Sequence, residues 1–225
     1  MDFEQARFNM VEQQIRTWDV LDQDVLDLLY VVRREDFVPA ACRELAFSDL
    51  EIPLVPEAAH DGNDSRRMWQ PKMEARVLQE LGLKKSDRVL EVGTGSGYFT
   101  ALLAHRSQHV TSVEISAALL APVAARLAAH AIDNVALAQG DAAQGWSKDA
   151  PYDVIVLTAS TPIVPQAVLE QLKPGGRLFA VVGDPPIMAA RLVTCTEPGS
   201  YRSLDLFETC MAPLVNALQP KRFSF

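Results

Sequence analysis

The sequence is short of the features that mark secreted, membrane-spanning and nucleic-acid-binding proteins. Its 225 residues contain three cysteines, Cys42, Cys195 and Cys210, which lie far apart and form no C-x-x-C pair. Positive charge is scarce, because 21 Lys and Arg stand against 29 Asp and Glu and leave a net charge of −8. A nucleic-acid surface is normally basic, and a membrane span needs roughly 18 apolar residues in a row, which no segment approaches. We therefore expect neither a nucleic-acid partner nor a membrane partner.

The N-terminal segment and the histidines exclude further classes. Residues 1–10, MDFEQARFNM, have acids where a secretory signal peptide has a cationic start and an apolar core. Together with the unpaired cysteines, this start predicts a cytoplasmic protein. No metal site is predicted, because the histidines are not spaced as a metal-ligand pair; they are His60, His105, His109 and His130.

The most informative segment is residues 88–104, which read RVLEVGTGSGYFTALLA. Apolar residues around Glu91 are typical of a buried parallel strand, and the later Ala and Leu are typical of a helix. Gly93, Gly95 and Gly97 lie between the two. A strand that continues through a glycine turn into a helix is half of a nucleotide-binding βαβ unit. Glycine has no Cβ, so a ligand can lie against the backbone there and meet the free N–H groups of the helix.

The spacing of these glycines indicates the kind of ligand. The pattern is G-x-G-x-G, whereas dinucleotide sites use G-x-G-x-x-G and P-loops end in Gly-Lys-Ser/Thr. No Lys or Arg follows Gly97 closely, so the loop offers no cationic side chain to a phosphate. It carries a carboxylate instead, Glu91. A cationic nucleoside such as S-adenosylmethionine fits this loop better than a pyrophosphate does.

The rest of the chain alternates strands and helices, which predicts an α/β fold with a doubly wound, mostly parallel sheet. Predicted strands cover residues 89–92, 109–115, 135–138, 152–158 and 177–182. Predicted helices cover residues 71–81, 98–104, 116–130 (interrupted by Pro122) and 164–172. An N-terminal helical extension is predicted from apolar residues at helical spacing, first Phe3, Phe8, Val11 and Ile15 and then Val25, Leu28, Leu29 and Val32. Residues 189–196 and 201–215 are predicted to form a C-terminal antiparallel pair.

Two further acids lie at predicted strand ends. Glu114 ends the second strand, where a doubly wound fold places the acid that accepts hydrogen bonds from both ribose hydroxyls. Asp141 follows the third strand and is placed to accept from an adenine amino group. Either acid alone is more typical of a solvated loop end than of a ligand site. Together with Glu91 and the glycine turn, they favour a nucleoside cofactor.

Several segments resemble the protein-L-isoaspartate O-methyltransferases over almost the whole chain. They are Arg33-x-Glu35-x-Phe37-Val38-Pro39, VLEVGTGSGYFTALLA, SVEI, GDAAQGW, YDVIVLTAS and QLKPGGRLFAVVG. The resemblance implies a class I methyltransferase fold with S-adenosylmethionine as cofactor and a carboxylate of isoaspartyl residues in damaged proteins as acceptor. It implies one domain over residues 1–225, with a helical extension and acceptor-side loop in 1–70 and a cofactor-binding core in 71–225. The cofactor-binding residues that it implies are Glu91, Gly93, Thr94, Gly95, Ser96, Gly97, Glu114, Ile115, Asp141 and Ala142.

One segment departs from the family pattern, which has Thr-Ile-Ser, then Gln or Ala, then Pro. Here Arg67-Met68-Trp69-Gln70-Pro71 takes that place, with Trp69 where the family has its acceptor-site serine. An indole N–H donates but cannot accept, and the ring is far larger than a hydroxymethyl group. Met68, Trp69 and Gln70 are therefore the predicted substrate-side residues.

Two interpretations of Trp69 remain open from the sequence. If Trp69 reshapes the acceptor site, the chain methylates isoaspartyl peptides weakly and Trp69→Ser raises that activity. The acceptor is then a different, small molecule, or the chain binds the cofactor without turnover. If Trp69 packs between the extension and the core, isoaspartyl methylation is retained.

The chemistry asks little of side chains. The sulfonium of the cofactor is already an activated methyl donor. A carboxylate acceptor has an ordinary pKa of about 4 and is therefore ionised when it binds, so no general base is needed. No catalytic side chain is assigned. Ser65 and Thr158 are the nearest hydroxyl candidates and are interpreted as polar groups of a loop and a strand end. The charged run Arg33–Asp36 is interpreted as solvated surface, and residues 49–67 as an irregular loop.

Overall fold

The computed structural model of the chain describes residues 1–55 and 66–220. Its strands are β1 (Ile52–Pro53), β2 (Arg67–Met68), β3 (Arg88–Val92), β4 (His109–Glu114), β5 (Val135–Gln139), β6 (Tyr152–Thr161), β7 (Leu172–Asp184), β8 (Ile187–Glu197) and β9 (Ser200–Thr209). Its α-helices are α1 (Phe3–Asn9), α2 (Gln23–Val31), α3 (Pro71–Leu81), α4 (Tyr98–Arg106), α5 (Ala117–Leu120), α6 (Val123–Ala129) and α7 (Gln166–Leu169). A π-helical turn covers Met10–Ile15, and 3₁₀ turns cover Arg16–Trp18, Arg34–Asp36, Ala40–Phe47 and Ser147–Asp149.

The main sheet has seven strands in the order β5-β4-β3-β6-β7-β8-β9. The pairs from β5 to β7 are parallel, and β8 and β9 continue the sheet in antiparallel pairing. This topology confirms the predicted doubly wound, mostly parallel sheet with antiparallel C-terminal strands. Parallel strands end at the same edge of a sheet, so the residues that follow β3, β4, β5 and β6 are brought together. No helix within residues 1–55 and 66–220 is both long and apolar enough to cross a bilayer.

Two predicted elements are shorter in the structure. The helix predicted over residues 164–172 is only α7, because Pro165 precedes it and Leu172 pairs with Tyr152 as the first residue of β7. The strand predicted over residues 201–215 ends at Thr209, because the chain then crosses to β6, where Ser160 bonds to the backbone of Ala212 and Leu214. Pro122 divides the predicted helix into α5 and α6, as expected of a proline.

The predicted apolar stripe of the N-terminal extension faces the core except at Phe8. Phe8, assigned to its apolar stripe together with Val11 and Ile15, is 50% exposed, whereas Val11 and Ile15 are buried. The backbone changes from α-helical to i→i+5 hydrogen bonding at Met10. The buried face that carries Val11 and Ile15 therefore does not extend back to Phe8.

The charged run Arg33–Asp36 was predicted to be solvated surface, and this is wrong for its two central residues. Arg34 is 1% exposed and Glu35 is 4% exposed. Arg34 forms an ion pair with Glu74 of α3, and Glu35 forms one with Arg7 of α1. The partners come from distant segments, so the local sequence shows the charges but not their neutralisation.

Candidate active site

The carboxyl ends of β3, β4, β5 and β6 border a cavity of about 350 Å³, a size typical of small-molecule sites. The predicted site residues that line it are Met68, Trp69, Glu91, Gly93, Thr94, Gly95, Ser96, Glu114, Ile115, Asp141 and Ala142. Gly97 and Gln70 do not line it: Gly97 precedes α4 and half-buried Gln70 precedes α3. The fold thus gathers most residues of the predicted constellation around one volume.

The glycine loop, residues 93–97, connects β3 to α4. Gly93 has a φ of +99°, and a Cβ there would lie 2.2 Å from the Thr158 hydroxyl oxygen, so only glycine fits without a shift. Gly95 has a φ of +54°, and a Cβ there would meet only a Leu54 methyl at 3.4 Å. The space beside Gly95 is therefore open toward the cavity.

Glu114 at the end of β4 is fixed by two backbone N–H groups. Its Oε2 accepts from the Gly95 amide at 2.9 Å and its Oε1 accepts from the Ser116 amide at 2.9 Å. Each carboxylate oxygen can accept more than one hydrogen bond, so both retain capacity for ligand hydroxyls. The side chain is 5% exposed and its orientation is set before any ligand arrives.

Glu91 in β3 is fully buried against the cavity. Its Oε2 accepts from the hydroxyls of Thr100 at 2.5 Å and Ser112 at 2.6 Å, whereas its Oε1 has no hydrogen-bond partner among the described residues. Burial raises the pKa of Glu91 to about 8, the two hydroxyls lower it in part, and the negative charge of Glu114 adds to the rise. A cation placed in the cavity would stabilise the ionised carboxylate.

Asp141 follows β5 and contacts a residue that the sequence did not link to it. Its Oδ1 accepts from the Ala143 amide at 2.9 Å, and its Oδ2 accepts from the Asn216 amide side chain at 2.7 Å. The neighbouring C-terminal residues Leu214 and Val215 also line the cavity. The segment after β9 therefore closes the cavity beside Asp141.

Trp69 lies at the other end of the cavity and is 7% exposed. Its indole Nε1 donates to the backbone oxygen of Thr158 at 3.0 Å. The ring packs against Phe99 and Phe179, with centroid distances of 5.4 and 6.3 Å. These contacts agree with the packing interpretation of Trp69.

The cavity is also lined by residues that were not predicted as site residues, among them Arg66, Arg67, Glu74 and Thr158. The two arginines precede Met68 directly, and their charge beside a predicted substrate-side residue was a usable signal. Thr158 was interpreted as a strand-end polar group; its hydroxyl donates to the backbone oxygens of Val92 and Gly93 at 2.8 Å each. Ser65, the other hydroxyl candidate, lies outside the described residues, as do His60 and the rest of residues 56–65.

Comparison with known proteins identifies the family. The family model described as protein-L-isoaspartate(D-aspartate) O-methyltransferase (PCMT) matches residues 5–218. The chain belongs to this family. Two curated members from Rhodopseudomonas palustris support the assignment. The protein-L-isoaspartate O-methyltransferase 1 of strain HaA2 is 39% identical over 95% of this chain and 84% of its own length. The protein-L-isoaspartate O-methyltransferase of strain ATCC BAA-98 / CGA009 is 39% identical over 92% of both chains.

Solved structures show that this PCMT member has the fold of its family. A structure named protein-L-isoaspartate O-methyltransferase superposes with a TM-score of 0.76 at 23% identity, covering 94% of this chain and 65% of that one. A Plasmodium falciparum protein, described as a putative PCMT in complex with S-adenosyl-L-homocysteine, superposes with a TM-score of 0.74 at 19% identity, covering 92% and 96%. The resemblance drawn from the sequence motifs is confirmed.

Proposed function

We propose that this PCMT member transfers the methyl group of S-adenosylmethionine to a carboxylate of isoaspartyl residues in proteins and releases S-adenosyl-L-homocysteine. The observation that carries the proposal is the arrangement of Glu91, Glu114 and Asp141 around an open glycine loop, in a chain that matches the family from residue 5 to residue 218. In this scheme residues 71–225 hold the cofactor and residues 1–70 supply the acceptor side. The cytoplasmic location proposed from the sequence fits the three cysteines, all of which are free thiols.

The cavity fits S-adenosylmethionine by the chemistry of its wall. The buried Oε1 of Glu91, with no partner among the described residues, is a site for a cationic group of the ligand. Glu114 is held ready to accept from ribose hydroxyls. Ile115, 42% exposed, offers an apolar surface near Asp141 for the adenine ring. When bound, the cofactor supplies an activated methyl group.

The proposed cofactor-binding set is the one that the sequence resemblance implied. It consists of Glu91, Gly93, Thr94, Gly95, Ser96, Gly97, Glu114, Ile115, Asp141 and Ala142. Gly97 supports the cofactor site without lining it. Its φ of +83° forms the turn into α4, and a Cβ there would lie 2.7 Å from a Val123 methyl. Gln70 likewise has an indirect part on the acceptor side, as the residue before α3.

The acceptor end of the cavity differs in charge from the cofactor end. Arg66 and Arg67 line the cavity directly before Met68 and Trp69 in the chain, and the nearby Glu74 is paired with Arg34. Glu91, Glu114 and Asp141 line the cavity at the strand ends around the glycine loop. Arg67 takes the place of the family's threonine. Guanidinium groups attract and orient carboxylates, so we assign Arg66 and Arg67 to the acceptor carboxylate. That acceptor is already ionised at neutral pH, and the protein's part is to orient it and to exclude water.

The test is methyl transfer from labelled S-adenosylmethionine to a synthetic isoaspartyl peptide. A peptide of the same sequence with an ordinary aspartyl residue is the control. We expect label on the isoaspartyl peptide only. Cofactor binding without label on either peptide would contradict the proposed acceptor, and incubation with a cell extract would then separate a different acceptor from a chain without turnover.

A further inference from the structure

Trp69 is held by protein groups on both sides. Its backbone oxygen accepts from a guanidinium nitrogen of Arg34, and its indole Nε1 donates to the backbone oxygen of Thr158 at 3.0 Å. The guanidinium of Arg34 also donates to the Ala46 oxygen at 2.9 Å and pairs with Glu74. One buried cation thus fixes the backbone of Trp69 to the extension and to α3.

Thr158 continues these contacts to the glycine loop. Its hydroxyl is shared between the backbone oxygens of Val92 and Gly93, at 2.8 Å each. The fit is close, because a Cβ on Gly93 would lie 2.2 Å from the same hydroxyl oxygen. A displacement of Thr158 therefore displaces Gly93.

We propose that Trp69 is a positioning residue for the glycine loop and not a contact for the methyl acceptor. Its only polar side-chain atom is engaged by a protein carbonyl and is not offered to a ligand. A serine hydroxyl lies one bond beyond Cβ, whereas the indole Nε1 that donates to the Thr158 oxygen lies three bonds beyond it. The tryptophan thus connects the N-terminal extension, through Arg34, to the loop on which the proposed cofactor lies. The inference rests on the proposed function, because the proposed function assigns the glycine loop to the cofactor.

The first test removes the indole N–H and keeps an aromatic ring. In Trp69→Phe the ring still packs on Phe99 and Phe179, but the Thr158 oxygen loses its donor. We expect the dissociation constant for S-adenosyl-L-homocysteine, measured by calorimetry at 25 °C, to rise roughly three- to tenfold, the range for one lost hydrogen bond. The matched control is Trp18→Phe, in a residue that contacts Phe207 and Lys72 instead and does not line the cavity; its constant should equal that of wild type.

Steady-state kinetics distinguish positioning from acceptor contact. At saturating S-adenosylmethionine, Trp69→Phe should leave the KM for the isoaspartyl peptide unchanged. A raised peptide KM with unchanged cofactor affinity would overturn the inference and make Trp69 an acceptor contact. An unchanged cofactor affinity and an unchanged KM would overturn it too and leave Trp69 a packing residue.

A second variant keeps the inference testable if Trp69→Phe does not fold. Thr158→Val removes the hydroxyl that holds Val92 and Gly93, and its cofactor affinity should fall as well. Where both variants fold, the double variant should lose less affinity than the product of the two single losses, because both act on one set of contacts. Wild-type affinity in a folded Thr158→Val protein would overturn the inference. Absence of cofactor binding in wild type would instead contradict the proposed function itself.

Discussion

The Gly95 amide donates to the Glu114 carboxylate at 2.9 Å, which joins the glycine loop to the end of β4. The two residues are 19 positions apart; Gly95 lies in the loop after β3, and Glu114 ends β4, the parallel neighbour of β3. Their hydrogen bond fixes the carboxylate beside the backbone that the cofactor is proposed to approach. The loop and the acid therefore act as one prearranged site.

Glu114→Ala should weaken the binding of both S-adenosylmethionine and S-adenosyl-L-homocysteine. The variant removes a charged acceptor for ribose hydroxyls, a loss of about 1.5–3 kcal/mol. It also leaves the amides of Gly95 and Ser116 without their side-chain acceptor. Calorimetry measures the change in affinity. The control is Glu170→Ala, because Glu170 is an exposed acid that directly follows α7. Equal affinity of Glu114→Ala and wild type would exclude Glu114 from the cofactor site.

Gly95→Ala should abolish or strongly weaken cofactor binding in a folded protein. The new methyl group points into the space beside the loop, where no protein atom is closer than the Leu54 methyl at 3.4 Å. Gly82→Ala is a matched control, because its φ of +52° nearly equals the +54° of Gly95 and a Cβ there meets nothing within 4 Å. Both variants should lose about 1–2 kcal/mol of stability from the left-handed backbone. Only Gly95→Ala should lose affinity; equal cofactor affinities in the two variants would show that the loop does not contact the ligand.

The stability of the ligand-free protein should fall as pH rises from about 4.5 to about 8, through Glu91. Below this range the Glu91 carboxyl is protonated in both the folded and the unfolded chain. Within it the unfolded chain ionises, near the ordinary pKa of 4.5, while burial keeps the folded carboxyl protonated up to its pKa of about 8. Chemical denaturation at a series of pH values measures the slope. Glu91→Gln should make stability less dependent on pH in this range. Identical slopes in the variant and in wild type would show that Glu91 does not cause the pH dependence.

Arg34→Met should destabilise the fold by about 3–5 kcal/mol, because it leaves the Glu74 carboxylate buried without its cation. The double variant with Glu74→Met should recover part of this loss, since no uncompensated charge remains. Urea unfolding gives both values. The control is Arg191→Met, whose partner Asp205 is 53% exposed and whose pair should contribute at most about 1 kcal/mol. Similar losses of stability in Arg34→Met and Arg191→Met would show that the buried Arg34–Glu74 pair contributes no more than the exposed Arg191–Asp205 pair.

The parts of the site that sequence predicts are those set by residue type at the carboxyl ends of parallel strands. The glycine loop, Glu91, Glu114 and Asp141 each lie at a strand end, and parallel strands bring such ends to one edge. Residue type and strand order therefore predict this grouping without knowledge of side-chain packing. What they do not predict is the contact of Asp141 with Asn216, which lies 75 residues later.

The parts that sequence does not predict depend on partners from distant segments. Arg34 was assigned to the surface because charged residues are mostly solvated, yet Glu74 and two backbone oxygens compensate its burial. Trp69 was compared with the family's serine by position, but its indole reaches the Thr158 carbonyl, 89 residues away. Burial of such groups is a property of the assembled fold and leaves no local pattern.

The most direct test of the proposed function is whether wild-type protein forms a methyl ester on an isoaspartyl peptide. Labelled S-adenosylmethionine provides the methyl group, and mild alkali releases the label as methanol only from an ester. We predict alkali-labile label on the isoaspartyl peptide and none on its aspartyl counterpart. Alkali-stable label, or no label while S-adenosyl-L-homocysteine still binds, would contradict methylation of the isoaspartyl carboxylate.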